Sequence, residues 1–209
     1  MLQSPILKEL NLARTNLSWF KPTYLNVSST LRLLNHKFTG LNGKWPYNIL
    51  NLQHLEHLDL YGNSLNGLWP KINTTIPLKS LNLGLNFLSR EIPKSVRHLR
   101  FLTYWNLFRC CLAGSLPKSI AKLHHLTHID LAYNKLNGTI PFGLFSLPSL
   151  EVFNLHFNKF TGGLPPRVLS RSLKESRLYE YELDGNVNQD SFTHVKSLVL
   201  STFHWLIIN

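Results

Sequence analysis

The stretch LTHIDLAYNKLNGTIP, residues 126–141, occurs in two further versions, LEHLDLYGNSLNGLWP at 55–70 and LEVFNLHFNKFTGGLP at 150–165. All three fit the template LxxLxLxxNxLxGxxP, so this part of the chain is an internal repeat. The template continues along the chain in a register of 22 to 24 residues, which chance does not maintain. Its first position falls at Leu7, Leu31, Leu55, Leu78, Leu102, Leu126, Leu150, Leu173 and Val195.

The template predicts the local structure of each repeat. Its alternating LxL segment forms a short strand with both leucines pointing inward, and stacked repeats join these strands into a parallel sheet. The ninth position faces the core at a turn, so a polar side chain there must satisfy its hydrogen bonds internally. Gly then permits a tight bend, Pro fixes φ, and apolar residues three and six positions after the proline close the repeat. The ninth position is occupied by Asn63, Asn86, Cys110, Asn134 and Asn158.

This template resembles the leucine-rich repeat, and its GxxP ending resembles the plant extracellular subclass of that family. The resemblance covers nearly all of residues 1–209, as a single domain of about nine repeats with no room for a second domain. It implies an α/β-type solenoid, a horseshoe or superhelix with a parallel β-sheet on the concave face and turns or short 3-10 helices on the convex face. In this family the ninth-position asparagines bond to neighbouring backbone groups and form a structural ladder.

The only two cysteines of the chain are adjacent, Cys110 and Cys111. A disulfide between neighbouring residues is strained, and a zinc ion would need two further ligands. We therefore interpret Cys110 as a ladder residue, a small and weakly hydrogen-bonding substitute for asparagine, with a redox or metal site as the alternative. A ladder cysteine in the pattern CxLxG also resembles plant receptor-like proteins of disease resistance.

The formal net charge of +11 suggests an acidic partner such as nucleic acid, anionic lipid or anionic polysaccharide. The basic residues are scattered from Lys8 to Lys196 and no nucleic-acid-binding motif accompanies them, so we expect no nucleic-acid partner. The histidines of LHHLTH, 123–128, lack a carboxylate or thiol at a fixed spacing, and no phosphate loop or nucleophile motif is present. We predict no enzyme activity, no cofactor and no metal site.

The N-terminal MLQSPILKEL shows no signal-peptide pattern, and no apolar run reaches the roughly 18 residues that a membrane span needs. The caps expected from the resemblance are not recognisable either, so we expect a piece of a longer ectodomain or a truncated gene product. The resemblance places such an ectodomain in the apoplast or on the extracellular face of the plasma membrane. Four Asn-x-Ser/Thr sequons predict glycosylation at Asn16, Asn26, Asn73 and Asn137.

The resemblance implies noncovalent recognition of a peptide, protein or glycan ligand by the ectodomain of a plant receptor-like protein in defence signalling. A co-receptor or adaptor kinase would be its signalling partner. The repeat that opens at Leu173 lacks the proline, an irregularity that also resembles receptor-like proteins. Two alternatives stay open: a secreted inhibitor of a microbial cell-wall-degrading enzyme, and an ectodomain fragment of a leucine-rich-repeat receptor kinase.

The third, fifth and seventh positions of each repeat are expected to point out of the concave face, which places successive repeats side by side. Exposed aromatic residues and an arginine on a rigid scaffold are the residue types that dominate binding hot spots. If histidine charge contacts the ligand, binding should change roughly between pH 5 and 7. The predicted ligand-binding residues are Tyr104, Phe108, Arg109, His128, Asp130, Tyr133, His156 and Phe157.

Overall fold

A parallel sheet runs through the computed structural model, which describes residues 6–21, 29–165, 167–178, 195 and 197–199. Each of its nine strands begins two residues after a predicted repeat opening, and the strands are paired in sequence order. The predicted solenoid fold is confirmed. The strands are Glu9–Asn11, Leu33–Asn35, His57–Asp59, Ser80–Asn82, Tyr104–Asn106, His128–Asp130, Val152–Asn154, Glu175–Arg177 and Ser197–Val199.

The sheet register stacks equivalent positions of successive repeats. Leu58 lies beside Leu81, and Leu81 lies beside Trp105, with 1% or less of each side chain exposed. The fold therefore has one continuous apolar core. Truncation of one of its buried leucines to alanine would lower the unfolding free energy by roughly 2–5 kcal/mol. Trp105 extends this core through an edge-on contact with Trp69, whose ring centroid lies 5.9 Å away.

The face opposite the sheet carries short 3-10 helices, as predicted. In each described case a proline precedes the first helical residue, because its fixed φ suits the entry to the turn. The expected apolar residues three and six positions after the proline are buried, for example Val96 with Leu99 and Ile120 with Leu123. The helices are Tyr47–Asn51, Lys94–His98, Lys118–Lys122 and Phe142–Ser146, and none of the described helices is long and apolar enough to cross a membrane.

A second set of short strands follows the ladder position, where the sequence predicted only turns. These segments stay extended long enough to pair with their neighbours before the glycine bend. Arg90 separates these strands into two three-stranded sheets. It occupies the position of the bend glycine with a φ of 81°, and a single bridge from Arg90 to Leu112 connects the two sheets. The strands are Asn42–Lys44, Ser64–Leu68 and Phe87–Ser89 in one sheet, and Ala113–Ser115, Lys135–Gly138 and Lys159–Phe160 in the other.

The ninth-position side chains connect consecutive repeats by hydrogen bonds. The Asn134 amide donates to the carbonyl oxygens of Leu107 at 2.8 Å and Leu131 at 2.9 Å, and its oxygen accepts from the backbone N–H groups of Cys110 and Leu112, both at 3.0 Å. Donor bonds to the same two carbonyl positions recur at Asn63, Asn86 and Asn158. Each amide thus satisfies backbone groups of its own and the preceding repeat.

Cys110 fills the ladder position with a different bonding pattern. Its thiol is fully buried and donates to the carbonyl oxygen of Leu83 at 3.0 Å, while burial raises the pKa of Cys110 to about 12. A thiol with so high a pKa stays protonated and unreactive at neutral pH. Both cysteines are free, and Cys111 is exposed.

Candidate ligand-binding surface

In the seven repeats whose eighth position is described, that position turns the chain out of the concave strand through a left-handed backbone conformation. Arg109, Tyr133 and Phe157 have φ values of 50°, 56° and 53°. A positive φ is unusual for bulky residues and is tolerated where the surrounding structure fixes it. The turn places these three side chains in a row along one edge of the concave face.

An aromatic cluster, which we call the edge cluster, occupies this row around Tyr133. The rings of Tyr133 and Phe157 stack with centroids 4.2 Å apart, and Phe108 and His156 meet the Tyr133 ring edge-on at 5.3 and 5.1 Å. The Arg109 guanidinium carbon lies 4.5 Å from the Tyr133 ring centroid, a cation–π contact. These contacts hold large side chains in fixed positions, so a ligand that binds them pays little ordering entropy.

A groove of about 630 Å³ opens beside the edge cluster, towards the second sheets. Arg109 and Lys135 supply positive charge to a wall that is otherwise mostly apolar. Such a groove fits an extended segment with apolar and acidic side chains. Its lining residues are Leu85, Asn86, Phe87, Arg109, Cys111, Tyr133, Asn134, Lys135 and Phe157.

A second, smaller pocket of about 250 Å³ lies on the concave face itself. The sheet register places His128 between Tyr104 and Val152, and the pocket also includes Asp130. Asp130 accepts hydrogen bonds from the Ala132 backbone N–H at 2.9 Å and the Asn154 amide at 3.3 Å. Burial nevertheless outweighs these bonds and raises the pKa of Asp130 above its ordinary value.

His156 differs from the expected exposed ligand contact, because only 6% of its surface is accessible. Its ring meets both the Tyr133 and the Phe157 rings edge-on, and its Nδ1 is hydrogen-bonded to Asn154. Burial first, and the charge of Arg177 second, lower the pKa of His156 to about 4. His156 therefore stays neutral from pH 5 to 7 and cannot supply the pH dependence predicted for that range.

The structure brings the predicted residues together as two neighbouring areas rather than one. Tyr104, His128 and Asp130 belong to the concave pocket, whereas Arg109, Tyr133 and Phe157 line the edge groove. Phe108 and His156 contact Tyr133 and so belong to the edge cluster.

Sequence reasoning missed the charged pair that closes the concave pocket. Glu175 and Arg177 lie in the next strand, with Arg177 Nε 2.6 Å from Glu175 Oε1, and both line the pocket. They occupy the third and fifth positions of the repeat opening at Leu173, so extending the positional pattern by one repeat would have found them. Phe87 and Lys135 were missed because they belong to the unpredicted second sheets.

The predicted glycosylation sites that the structure describes lie on the surface. The sequon residues Asn16, Asn73 and Asn137 are exposed, and Asn26 lies outside the described residues. Within the part of the chain that the structure describes, no three His, Cys, Asp or Glu side chains are placed to hold a metal ion.

Comparison with known proteins places this geometry in a family. A family model described as Leucine Rich Repeat matches residues 54–73, 125–147 and 149–170. The solved ectodomain of BIR2 from Arabidopsis thaliana is 34% identical over 63% of this chain and 68% of that one, with a TM-score of 0.52. The chain belongs to the leucine-rich-repeat family. A separate comparison with curated protein sequences gives no match.

Two larger leucine-rich-repeat receptors superimpose more completely. The Arabidopsis receptor kinase HAESA, solved with the peptide hormone IDA and the co-receptor SERK1, has a TM-score of 0.77 and 29% identity over 83% of this chain. The plant peptide hormone receptor RGFR1, solved with RGF2, has a TM-score of 0.72 and 26% identity over 94% of this chain. This leucine-rich-repeat chain spans about 30% of the HAESA chain and 36% of the RGFR1 chain.

Proposed function

We propose that this chain is a ligand-recognition segment of a plant receptor-like ectodomain, located in the apoplast or at the outer face of the plasma membrane. The observation that carries the proposal is the rigid edge cluster beside the concave pocket. Aromatic and arginine side chains held in place by their neighbours are typical of binding hot spots. The similar HAESA and RGFR1 structures, which were solved with peptide hormones, support a peptide as the ligand.

The two areas suit an extended peptide that crosses several repeats. The edge groove offers apolar contacts together with the positive charge of Arg109 and Lys135, and the concave pocket offers hydrogen-bonding groups on Asp130 and Asn154. We infer that the ligand carries an acidic group next to an apolar side chain where it meets the edge groove. A partner kinase would supply signalling, and the presence of a co-receptor in the HAESA complex supports such a partner.

Defence signalling is the pathway that we propose, on the ladder cysteine Cys110 and the irregular repeat at Leu173, both of which resemble disease-resistance receptor-like proteins. A receptor-kinase ectodomain is the second candidate, and it is favoured by the similarity to HAESA, itself a receptor kinase. Occupancy of the sequons at Asn16, Asn73 and Asn137 would be consistent with either candidate.

A displayed random-peptide selection on the purified chain tests the proposal. Peptides enriched on the native chain should be lost on a triple variant, Tyr104→Ala with Arg109→Ala and Tyr133→Ala, and retained on Lys94→Ala with Lys122→Ala. The two variants separate the concave edge from the convex face. Equal retention on both variants, with both folded by circular dichroism, would contradict the proposed site.

A further inference from the structure

Acidic residues are unevenly distributed around the solenoid. In the described part of the chain, six of the seven lie in or directly before the concave strands, and the seventh, Glu91, lies over Gly114 near the second sheets. Three segments that follow a repeat proline, 70–78, 93–102 and 117–126, contain no Asp or Glu, and the last two carry the helices Lys94–His98 and Lys118–Lys122.

The same three segments hold six exposed cations. On the concave side, Glu56 pairs with Arg32 and Lys79, and Glu151 pairs with Lys174. No ion pair to a described carboxylate involves any of the convex cations, so their charge faces solvent. They are Lys71, Lys94, Arg97, Arg100, Lys118 and Lys122.

The repeat register brings these basic residues, which are scattered along the sequence, together in one surface patch. Lys94 and Lys118 are the first residues of adjacent 3-10 helices, and those two helices contact each other. Stacked repeats lie about 4.8 Å apart on the strand side, so cations at equivalent positions recur at a short and regular interval. Closely spaced like charges raise the local concentration of an opposite polyion.

Exposed rings border the patch. Phe101, which is 48% exposed, lies next to Arg100 and stacks with His125 at 6.3 Å and 20° between the ring planes. A flat exposed ring can cover the apolar face of a sugar ring, whereas insertion into a membrane needs a continuous apolar stripe. The two helices of the patch instead bury their larger apolar residues, Val96 and Ile120.

We propose that the convex face over residues 71–125 binds a linear acidic polysaccharide that carries a carboxylate on each sugar. Lysine and arginine side chains would pair with successive carboxylates, and the Phe101–His125 pair would stack against a sugar ring. This surface is separate from the edge cluster, so it could hold the protein in an acidic polymer matrix while the concave side stays accessible.

The test measures binding of the full chain to polygalacturonate, with its fully methyl-esterified form as the uncharged control ligand. Lys94→Glu with Lys118→Glu and Lys122→Glu should weaken binding by about tenfold or more. The matched control, Lys8→Glu with Lys44→Glu and Lys159→Glu, makes the same change in net charge at exposed positions outside the convex patch and the edge groove, and it should leave binding nearly unchanged. Binding should also weaken with added salt and be absent for the methyl ester.

Three results would overturn this inference: equal losses in the two triple variants, equal binding of the methyl ester, or stronger binding to phosphatidylserine vesicles or duplex DNA than to polygalacturonate. Thermal melts check that each variant is folded. If the charge reversals prevent folding, glutamine at the same three positions gives the same comparison with a smaller charge change. Phe101→Ala should weaken binding without changing its salt dependence.

Discussion

The repeat that opens at Leu126 and the repeat that opens at Leu31 form the same backbone with different side chains. The first has Leu131 and Asn134 at the sixth and ninth positions, whereas the second has His36 and Thr39. All four residues are buried. The comparison shows that the register of the solenoid is robust enough to hold residues that fit their positions poorly.

Threonine and cysteine at the ladder position each keep only part of the hydrogen bonding of asparagine. Asn134 donates to its own repeat at Leu131 and to the preceding repeat at Leu107. Thr39 Oγ1 lies 2.9 Å from the His36 carbonyl oxygen of its own repeat, and Cys110 Sγ donates across repeats to Leu83. A single hydrogen on oxygen or sulfur cannot replace both donors of an amide.

Removal of a complete ladder amide should have the largest effect. Asn134→Ala leaves the Leu107 carbonyl and the Cys110 and Leu112 N–H groups without their partner, whereas the Leu131 carbonyl keeps its bond from Asn158. We expect a loss of at least about 3 kcal/mol in unfolding free energy, measured by urea denaturation, because each buried unpaired group costs roughly 1–3 kcal/mol. Asn137→Ala, at an exposed position nearby, is the control and should change little. A loss under about 1 kcal/mol for Asn134→Ala would contradict the ladder.

Substitutions at Cys110 test a ladder position that has one donor instead of the two of an amide. Cys110→Leu should destabilise the chain by about 1–3 kcal/mol, because the larger side chain is forced into a fully buried site and the Leu83 carbonyl keeps only its bond from Asn86. Cys110→Asn should be neutral or stabilising, because an amide can make both donor bonds. Zinc found by mass spectrometry, or a Cys110–Cys111 disulfide required for folding, would refute the structural role.

His36 tests the cost of a polar residue at a leucine position. Neither ring nitrogen has a hydrogen-bond partner among the described residues, and burial lowers the pKa of His36 to about 4. His36→Leu should raise the unfolding free energy by about 1–2 kcal/mol at pH 7.

The benefit of His36→Leu should grow on acidification. Below pH 6.5 the unfolded chain binds a proton that folded His36 does not accept until about pH 4, so native stability falls as pH falls through this interval. His156 acts in the same direction, so the variant keeps part of this sensitivity. His54→Leu, at an exposed position, is the control. An advantage that is the same at pH 7 and pH 5 would show that His36 is not the group responsible.

The smallest effect concerns binding by the concave side and its edge. Alanine at Tyr104, Phe108 or Tyr133 should each weaken the native complex by more than about 1 kcal/mol while leaving the protein folded. Calorimetry with a selected peptide measures the loss. Alanine at Lys94, Arg97 or Lys122 on the convex face should have no effect on that peptide, and the reverse pattern would move the ligand site to the convex face.

The sequence by itself determined the solenoid, the position of every described concave strand and the burial of the apolar residues after Pro93, Pro117 and Pro141. It could do so because a 24-residue period records which positions face the core, and the hydrophobic effect enforces that pattern in each repeat. The same pattern located Tyr104, His128, Asp130 and Tyr133 on or beside the concave face.

Only the tertiary structure decided how exposed positions combine. It buried His156 under neighbouring rings, added Glu175 and Arg177 to the concave pocket, and formed the second sheets by pairing segments that carry no strand pattern of their own. It also gathered lysines and arginines that look scattered along the chain into one convex patch. Such neighbours are about 24 residues apart in sequence and become adjacent only through stacking, so no local pattern contains the information.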